Sequence, residues 1–283
     1  MAYTTLISAA DLAHRNPVLN WVVIDCRHDL ANPEAGRLAY QAGHIPGARS
    51  AHLDTDLSGE KWDAERFRGR HPLPERDRLI ETLRSWGVND DSQVVAYDAH
   101  GGIFAARLWW LLRWVGHGAA AVLDGGLSAW TTHGLPLSTH PVPVTRGNII
   151  VKPPLVSTLG VDDIFANLQT HTRTVVDARS PDRFRGENET LDPVGGHIPG
   201  AKNRFFKDNL QADGHFKPAG LLRDEFGALV ADPHAAVMQC GSGVTACHNL
   251  LALEIAGLQG AALYPGSWSE WCSDSSRPVA KGS

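Results

Sequence analysis

The chain has 283 residues, of which 20% are charged and 43% hydrophobic, and its formal net charge is -5 at pH 7. This length allows one large domain or two ordinary ones, and the composition is that of a globular protein with a hydrophobic core. Because the basic residues are scattered and the net charge is negative, the composition disfavours a nucleic-acid-binding protein. The apolar stretches are strand-sized or are broken by Arg and Gly, so no membrane span is expected.

The chain has four cysteines, which are Cys26, Cys240, Cys247 and Cys272. They form no C-x-x-C pair, and they are too few to build a disulfide scaffold for a chain of this length. The N-terminus has no basic region followed by an apolar run, so no secretory signal is expected. These features together predict a protein of the reducing cytoplasm.

Four blocks of sequence occur twice, in the same order, at an offset of about 140–153 residues. The matched blocks are "WVVIDCRHDL" at 21–30 with "TVVDARSPDRF" at 174–184, "AGHIPGARS" at 42–50 with "GGHIPGAKN" at 195–203, "QVVAYDAHGG" at 93–102 with "AAVMQCGSG" at 235–243, and "LDGGLSAW" at 123–130 with "LYPGSWSEW" at 263–271. Preserved order over four blocks is rarely produced by chance. The sequence therefore predicts a tandem repeat of two similar domains.

Each copy predicts the same elements in the same chain order. The first buried strand is predicted over 22–25 and 174–177, the next helix over 75–86 and 219–231, the second strand over 93–97 and 235–239, and the following helix over 103–115 and 243–256. Apolar, β-branched strands that alternate with helices favour parallel α/β packing. We expect an N-terminal domain over 1–138, an extended Pro-containing linker over 139–155, and a C-terminal domain over 156–283.

The stretch "MQCGSGVTAC" at 238–247 places Cys240 directly after the second strand of the second copy. In parallel α/β sheets, ligands bind beyond the carboxyl ends of the strands. The residues Gly241, Ser242 and Gly243 carry little side-chain bulk, so successive backbone N–H groups can form an anion-binding nest. The helix predicted to begin near Val244 adds the positive end of its dipole. Both features stabilise a thiolate, and they favour Cys240 as a nucleophile.

The four cysteines also allow other interpretations. A lone cysteine after an apolar run is commonly a small buried hydrophobe, and we assign that role to Cys26 and Cys247. Cys272, near the C-terminus, is a candidate for exposure. A cysteine-dependent phosphatase needs Cys-x5-Arg, but Ala246 stands at that position, and no Cys/His group has zinc spacing. A papain-like pair is not excluded by spacing, although the sequence around Cys240 does not favour it.

The two copies differ at the loop after the second strand. The first copy has Asp98 where the second copy has Cys240. This difference indicates one active domain and one supporting domain. The paired Asp-x-Arg and Gly-His-Ile-Pro-Gly segments occur in both copies, so we interpret them as structural, with the Asp and Arg side chains holding loops in place.

Two tandem Asp-x-Arg/Gly-His-Ile-Pro-Gly-Ala units, with "CGSGVTA" in the second only, resemble the two-domain rhodanese-fold sulfurtransferases over nearly the whole chain. The loop is similar to that of the 3-mercaptopyruvate sulfurtransferase branch, because the thiosulfate branch typically carries basic residues there. The resemblance implies an α/β fold with two rhodanese-like domains, each a mostly parallel sheet flanked by helices. It implies that Cys240 takes sulfur from a donor and holds it as a persulfide.

The resemblance also implies the partners of the reaction. The persulfide passes its sulfur to a thiol acceptor, such as thioredoxin or a small thiol, or to cyanide. No cofactor and no metal is implied, and no nucleic-acid or membrane partner is expected. The alternatives are a thiosulfate:cyanide sulfurtransferase with the same persulfide mechanism and a rhodanese-like binding module without chemistry. An intact Cys-led loop disfavours the binding module, which has no use for it.

Family resemblance further implies roles for individual residues. The backbone of Gly241, Gly243, Val244 and Thr245 would bind the reacting sulfur. A second group, comprising Ser242 in the loop, His71 in "RHPLP" and Asp56 in "HLDTDLSG", would form a relay that protonates or stabilises the leaving enolate.

Arg183, in "SPDRFRGE", matches a family arginine that binds the substrate carboxylate, for which the planar guanidinium is well suited. The family carries a second arginine several residues later, but this chain has the acidic stretch "ENETLDPVGG" there. We consider Arg185 as a substitute for it.

Overall fold

The computed structural model describes residues 2–15 and 20–282. The α-helices are α1 (Ala9–Arg15), α2 (Ala35–Ala42), α3 (Arg76–Ser85), α4 (Ala105–Trp114), α5 (Gly126–Thr132), α6 (Val161–Thr170), α7 (Pro181–Arg185), α8 (Ala219–Leu229), α9 (Thr245–Ile255) and α10 (Ser267–Trp271). The strands are β1 (Leu6–Ile7), β2 (Trp21–Asp25), β3 (Arg49–Ser50), β4 (Trp62–Asp63), β5 (Arg66–Phe67), β6 (Gln93–Tyr97), β7 (Ala120–Leu123), β8 (Ser157–Thr158), β9 (Thr174–Asp177), β10 (Lys202–Asn203), β11 (Ala236–Gln239) and β12 (Ala262–Leu263). Short 3-10 helices cover Phe206–Asn209 and Pro233–Ala235.

The chain folds into two compact units that are not continuous in sequence. Unit 1 consists of Met1–Ser58, Pro74–Leu155 and Gln211–Phe216. Unit 2 consists of Gly59–Leu73, Val156–Leu210 and Lys217–Ser283. Most of each unit therefore comes from one half of the sequence, and each unit also takes a short segment from the other half.

Unit 1 is built on a five-stranded sheet in the order β1-β7-β6-β2-β3, and each neighbouring pair is parallel. The central strand, β6, is buried along its whole length, because helices cover both faces of a parallel sheet. A core cluster includes Val23, Val95, Ala121 and Trp130. These side chains come from three adjacent strands and from α5.

Unit 2 repeats this architecture with a second five-stranded parallel sheet in the order β10-β9-β11-β12-β8. When equivalent strands are matched, the order is the same as in unit 1. The buried residues Val175, Val237, Tyr264 and Trp268 belong to its core cluster. The antiparallel pair β4 and β5 lies in the segment that unit 2 takes from the first half of the chain. The predicted α/β fold with two similar, mostly parallel sheets is confirmed.

The Asp-x-Arg pairs have the predicted structural role. In unit 2, Arg179 donates to both carboxylate oxygens of Asp177 and, at 2.7 Å, to the backbone carbonyl of Gly196. In unit 1, Arg27 makes the corresponding contacts with Asp25 and with the first glycine of the Gly-His-Ile-Pro-Gly turn. Each pair therefore ties the end of the strand beside the central one, β2 or β9, to the Gly-His-Ile-Pro-Gly turn of the same unit.

All four cysteines are free thiols and are buried. This agrees with the packing roles predicted for Cys26 and Cys247. The prediction that Cys272 is exposed is wrong. The residue is only 7% exposed and packs in the core cluster with Trp268 and Trp271. No helix within residues 2–15 and 20–282 is both long enough and apolar enough to cross a membrane.

Candidate active site

Cys240 lies directly after β11, the central strand of the sheet in unit 2. The backbone then forms a short loop, and α9 begins at Thr245 with Val244 as its N-cap residue. The cysteine is thus placed at the carboxyl end of a central parallel strand and before a helix N-terminus, as its sequence predicts. Its side chain is nearly enclosed by the protein, since the residue is 2% exposed.

The loop directs a backbone donor at the sulfur. The N–H of Gly243 donates a hydrogen bond to Sγ of Cys240 at 3.1 Å. Gly243 has a φ of +77°, and a Cβ atom at this position would lie 2.4 Å from the carbonyl oxygen of Pro265. Only glycine fits both the backbone conformation and the space. Val244 and Thr245 follow at the positive end of the α9 dipole, which also favours negative charge on the sulfur.

The backbone of Cys240 is held by the first two residues of α10. Its N–H donates to the hydroxyl oxygen of Ser267 at 3.1 Å, and its carbonyl accepts the N–H of Trp268 at 2.9 Å. Ser267 has a φ of +54°, whereas the equivalent residue of unit 1 is Gly126 at +57°. A side chain in this conformation costs about 1–2 kcal/mol, so strain is retained where it supplies a hydroxyl to the cysteine backbone. Ser267 is not among the residues predicted from the sequence, although the repeated blocks have this serine where the first copy has Gly126.

The equivalent loop of unit 1 is folded around an anion. The carboxylate of Asp98 accepts four backbone hydrogen bonds, from His100, Gly102, Phe104 and Ala105, at 2.8–3.0 Å. This strand–loop–helix arrangement therefore binds negative charge at the residue that follows the strand. Unit 2 has the same arrangement with a thiol at that residue, which supports the predicted nest for a sulfur anion.

Ser242 and His71 are brought together within unit 2. The ring Nδ1 of His71 lies 2.8 Å from the hydroxyl oxygen of Ser242, and both side chains are buried. His71 reaches this position because the segment Gly59–Leu73 belongs to unit 2. The third residue of the predicted relay, Asp56, belongs to unit 1, where its carboxylate accepts the backbone N–H of His52 at 2.7 Å. Its part in a relay stays a prediction.

Two guanidinium groups border the loop at Gly241. A Cβ atom on this glycine would lie 2.8 Å from Nη2 of Arg70 and 3.5 Å from Nη2 of Arg183. Arg183 donates to Glu189 from Nε and Nη2 at 2.8–3.1 Å, and its Nη2 also lies 3.4 Å from Asp192. Arg70 donates from Nη1 to the other oxygen of Asp192. The site thus contains two cations and two carboxylates beside the residue that follows the cysteine.

Arg185, which the sequence suggested as a second arginine, is held differently. Its guanidinium binds both carboxylate oxygens of Glu187 at 2.7–2.8 Å, and its side chain is 37% exposed. A role for Arg185 in binding substrate stays a prediction, whereas Arg70 is the second guanidinium beside Gly241. Sequence reasoning missed Arg70, although it directly precedes His71 in "GRHPLP".

The pKa values of the two carboxylates between the arginines are shifted in opposite directions. Burial raises the pKa of Asp192, and the positive charge of Arg70 only partly opposes this effect. Burial would also raise the pKa of Glu189, but hydrogen bonds from Arg183 and from the Leu191 N–H outweigh it, and the pKa is lowered. Glu189 is therefore the firmly ionised partner, and Asp192 is the carboxylate that depends most on its cationic neighbours.

Comparison with known proteins identifies the fold and the family. The model of the rhodanese-like domain matches residues 8–133 and again residues 161–274. A relative from Pseudomonas aeruginosa named "Probable 3-mercaptopyruvate sulfurtransferase" is 45% identical over 285 residues, which cover 100% of each chain. A thiosulfate sulfurtransferase from Cricetulus griseus is 32% identical and covers 88% of this chain and 84% of its own length.

A solved structure has the same fold over nearly the whole of this chain. The 3-mercaptopyruvate sulfurtransferase from Leishmania major superposes with a TM-score of 0.83 at 30% identity, covering 98% of this chain and 76% of that one. Both sequence relatives and this structure are named as sulfurtransferases, which are enzymes. The chain belongs to the rhodanese-like family and contains two copies of its domain.

Proposed function

We propose that this sulfurtransferase takes sulfur from 3-mercaptopyruvate, carries it as a persulfide on Cys240, and delivers it to a thiol or to cyanide. The observation that carries the proposal is the Cys240 Sγ itself, at the carboxyl end of a central parallel strand and 3.1 Å from the N–H of Gly243. The sulfurtransferase names of the full-length relatives support it.

In the first half-reaction, the thiolate of Cys240 attacks the sulfur of the donor. An S–S bond forms, the C–S bond of mercaptopyruvate breaks, and its electron pair stays on carbon as the enolate of pyruvate. This is covalent catalysis in which sulfur is the transferred group. The N–H of Gly243 and the positive end of α9 stabilise negative charge on the cysteine sulfur before and after transfer.

The enolate needs one proton to become pyruvate. Ser242 lies in the loop that holds Cys240, and His71 is hydrogen-bonded to it, so the pair can deliver that proton through the serine hydroxyl. Asp56 would orient the imidazole if the full relay forms. The hydroxyl of Ser242 gives its proton to the enolate, and His71 then returns a proton to Ser242.

In the second half-reaction, an acceptor attacks the outer sulfur of the persulfide. The S–S bond breaks, and its electron pair returns to Cys240 as the thiolate. A thiol acceptor, such as thioredoxin or a small thiol, leaves as a persulfide, and cyanide leaves as thiocyanate. The cysteine is regenerated without a net change in its oxidation state, so no external oxidant or reductant is needed.

The charges around the loop favour mercaptopyruvate over thiosulfate. The Gly-Ser-Gly loop has no cation of its own, and the two flanking guanidiniums are balanced by Glu189 and Asp192. A dianion such as thiosulfate therefore gains little net attraction here. The single carboxylate of mercaptopyruvate can be bound by Arg183 through a charge-assisted hydrogen bond, which contributes roughly 1.5–3 kcal/mol.

The alternative donor is thiosulfate with the same persulfide on Cys240, and the relative from Cricetulus griseus is named for that activity. A side-by-side measurement of kcat/KM with both donors, using cyanide as the acceptor, separates the two. We expect mercaptopyruvate to be preferred, and Arg183→Ala to reduce its use by about ten- to a hundredfold while affecting thiosulfate less. Equal or better turnover of thiosulfate by the unmodified protein would overturn the donor assignment.

A further inference from the structure

We propose that Arg70 and Arg183 together form a clasp for the carboxylate of the donor, and that Asp192 is the positioning residue that holds the two guanidiniums side by side. The inference deepens the proposed function and rests on it. It assigns a binding role to Arg70, which comes from the segment Gly59–Leu73, and it supplies a second arginine that the acidic stretch after Arg183 lacks.

Each guanidinium is held by a carboxylate and also borders the loop. Arg70 is held through Nη1 by Asp192, while its Nη2 would lie 2.8 Å from a Cβ atom on Gly241. Arg183 is held through Nε and Nη2 by Glu189, and its Nη2 and Nη1 would lie 3.5 and 3.7 Å from the same position. Nitrogens of both groups therefore lie near Gly241. This residue is next to Cys240, whose sulfur the donor must reach.

The exposed fractions of the four side chains show the same arrangement, with the carboxylates inside and the guanidiniums outside. The side chains of Asp192 and Glu189 are only 3% and 4% exposed, whereas those of Arg70 and Arg183 are 23% and 19% exposed. The carboxylates thus lie on the inner side of the arginines, and the guanidiniums retain access to solvent. A buried carboxylate with a partly open guanidinium fixes the geometry of the cation and leaves N–H groups available for another anion.

Asp192 is shared between the two arginines. One of its oxygens accepts from Arg70, and the other lies 3.4 Å from Nη2 of Arg183. A single carboxylate that contacts both guanidiniums fixes the separation between them. It also reduces the net charge of the clasp, so the site suits a monoanionic keto acid more than a dianion. Burial raises the pKa of Asp192, and the charges of Arg70 and Arg183 oppose that effect, so these cations favour the ionised form of the carboxylate.

The first test measures binding without sulfur transfer. Pyruvate has the carboxylate and carbonyl of the donor but no sulfur, so it should protect Cys240 from iodoacetamide in the unmodified protein. Arg70→Met and Arg183→Met should each weaken this protection by about tenfold or more, and Arg70→Lys should weaken it less. The KM for mercaptopyruvate should rise in parallel in the same variants.

The matched control is Arg173→Met. Arg173 is an exposed arginine of unit 2 that precedes β9, at the opposite end of the strand from the clasp. This variant should keep the pyruvate affinity and the KM of the unmodified protein. Unchanged pyruvate protection in Arg70→Met, together with a loss in Arg183→Met, would overturn the assignment of Arg70. Absence of pyruvate protection in the unmodified protein would overturn the clasp itself.

The second test addresses Asp192. Asp192→Asn keeps the shape of the side chain and removes its charge, so it should raise the KM for mercaptopyruvate severalfold and leave kcat almost unchanged. A lower KM in this variant would show instead that Asp192 competes with the donor for the arginines, and it would overturn the positioning role. Failure of the clasp is distinct from failure of the proposed function, because sulfur loading of Cys240 from thiosulfate is measured separately in each variant.

Discussion

The Nδ1 atom of His71 and the hydroxyl oxygen of Ser242 lie 2.8 Å apart, although 171 residues separate them in the chain. This hydrogen bond connects the cysteine loop to the segment that unit 2 takes from the first half of the sequence. Ser242 stands two residues after Cys240, where a donor's leaving group needs a proton. Loss of this contact should therefore affect turnover of mercaptopyruvate more than turnover of thiosulfate.

Ser242→Ala and His71→Gln should each lower kcat with mercaptopyruvate by about a hundredfold or more, because general acid catalysis contributes roughly 10²–10⁴-fold. With thiosulfate the loss should be small, since the leaving sulfite is already a stable anion and needs no proton. Steady-state kinetics with both donors make the measurement. Equal losses with the two donors would show that the pair only maintains the structure of the loop.

Gly243 should not tolerate a side chain. Gly243→Ala would place a Cβ atom 2.4 Å from the carbonyl oxygen of Pro265, and it would move the N–H that now reaches Cys240 Sγ. We expect this variant to lose most of its sulfur loading, which can be followed by intact mass after incubation with donor.

The matched control for that variant is Gly214→Ala. Gly214 also has a positive φ, +85°, but a Cβ atom there has no neighbour within 4 Å. It should therefore cost only the backbone strain of about 1–2 kcal/mol in the free energy of unfolding, with sulfur loading retained. Comparable loss of loading in the two glycine variants would contradict a specific role for the Gly243 N–H.

Much of this site follows from the sequence, because the strand-end positions and the glycine loop are determined locally. Strands were predicted at 93–97 and 174–177 with the bounds that the structure has, and α9 begins one residue after Val244. These elements depend on β-branched runs and on glycines, which are properties of neighbouring residues.

The arginine clasp could not be predicted in this way. Arg70 is distant in sequence from Arg183, and the carboxylate that joins them lies in a stretch that was considered only for the arginine it lacks. Contacts between loops depend on how the chain assembles, and a single sequence gives no period or spacing for them. Cys272 is a different case, because its exposure was inferred from its place near the C-terminus, whereas α10 directly before it is buried and carries Trp268 and Trp271 into the core of unit 2.

The thiols of Cys26 and Cys272 should be unreactive. Burial raises the pKa of Cys272 to about 11, and burial together with the charge of Asp25 raises the pKa of Cys26 well above its usual value. A thiol with a raised pKa stays protonated below that pKa, so both residues should resist iodoacetamide near pH 8 and become reactive only at much higher pH. Peptide mapping of the alkylated protein checks this. Labelling of either residue at near-neutral pH would contradict the assigned burial.

Replacement of the nucleophile should separate activity from folding. Cys240→Ser should abolish sulfur transfer with either donor and leave the fold intact, because serine is close in size but is a far poorer acceptor of sulfur. Cys26→Ser and Cys272→Ser should retain transfer, since both side chains pack in the interior. Transfer rates and circular dichroism of the three variants give the comparison. A substantial residual rate in Cys240→Ser would require a different nucleophile.

The central claim is that Cys240 carries the sulfur, and the most direct measurement is the mass of the protein after incubation with mercaptopyruvate and no acceptor. One added sulfur atom should appear, peptide mapping should place it on the peptide that contains Cys240, and cyanide or dithiothreitol should remove it. A protein that turns over donor while its Cys240 peptide gains no sulfur would contradict the persulfide mechanism.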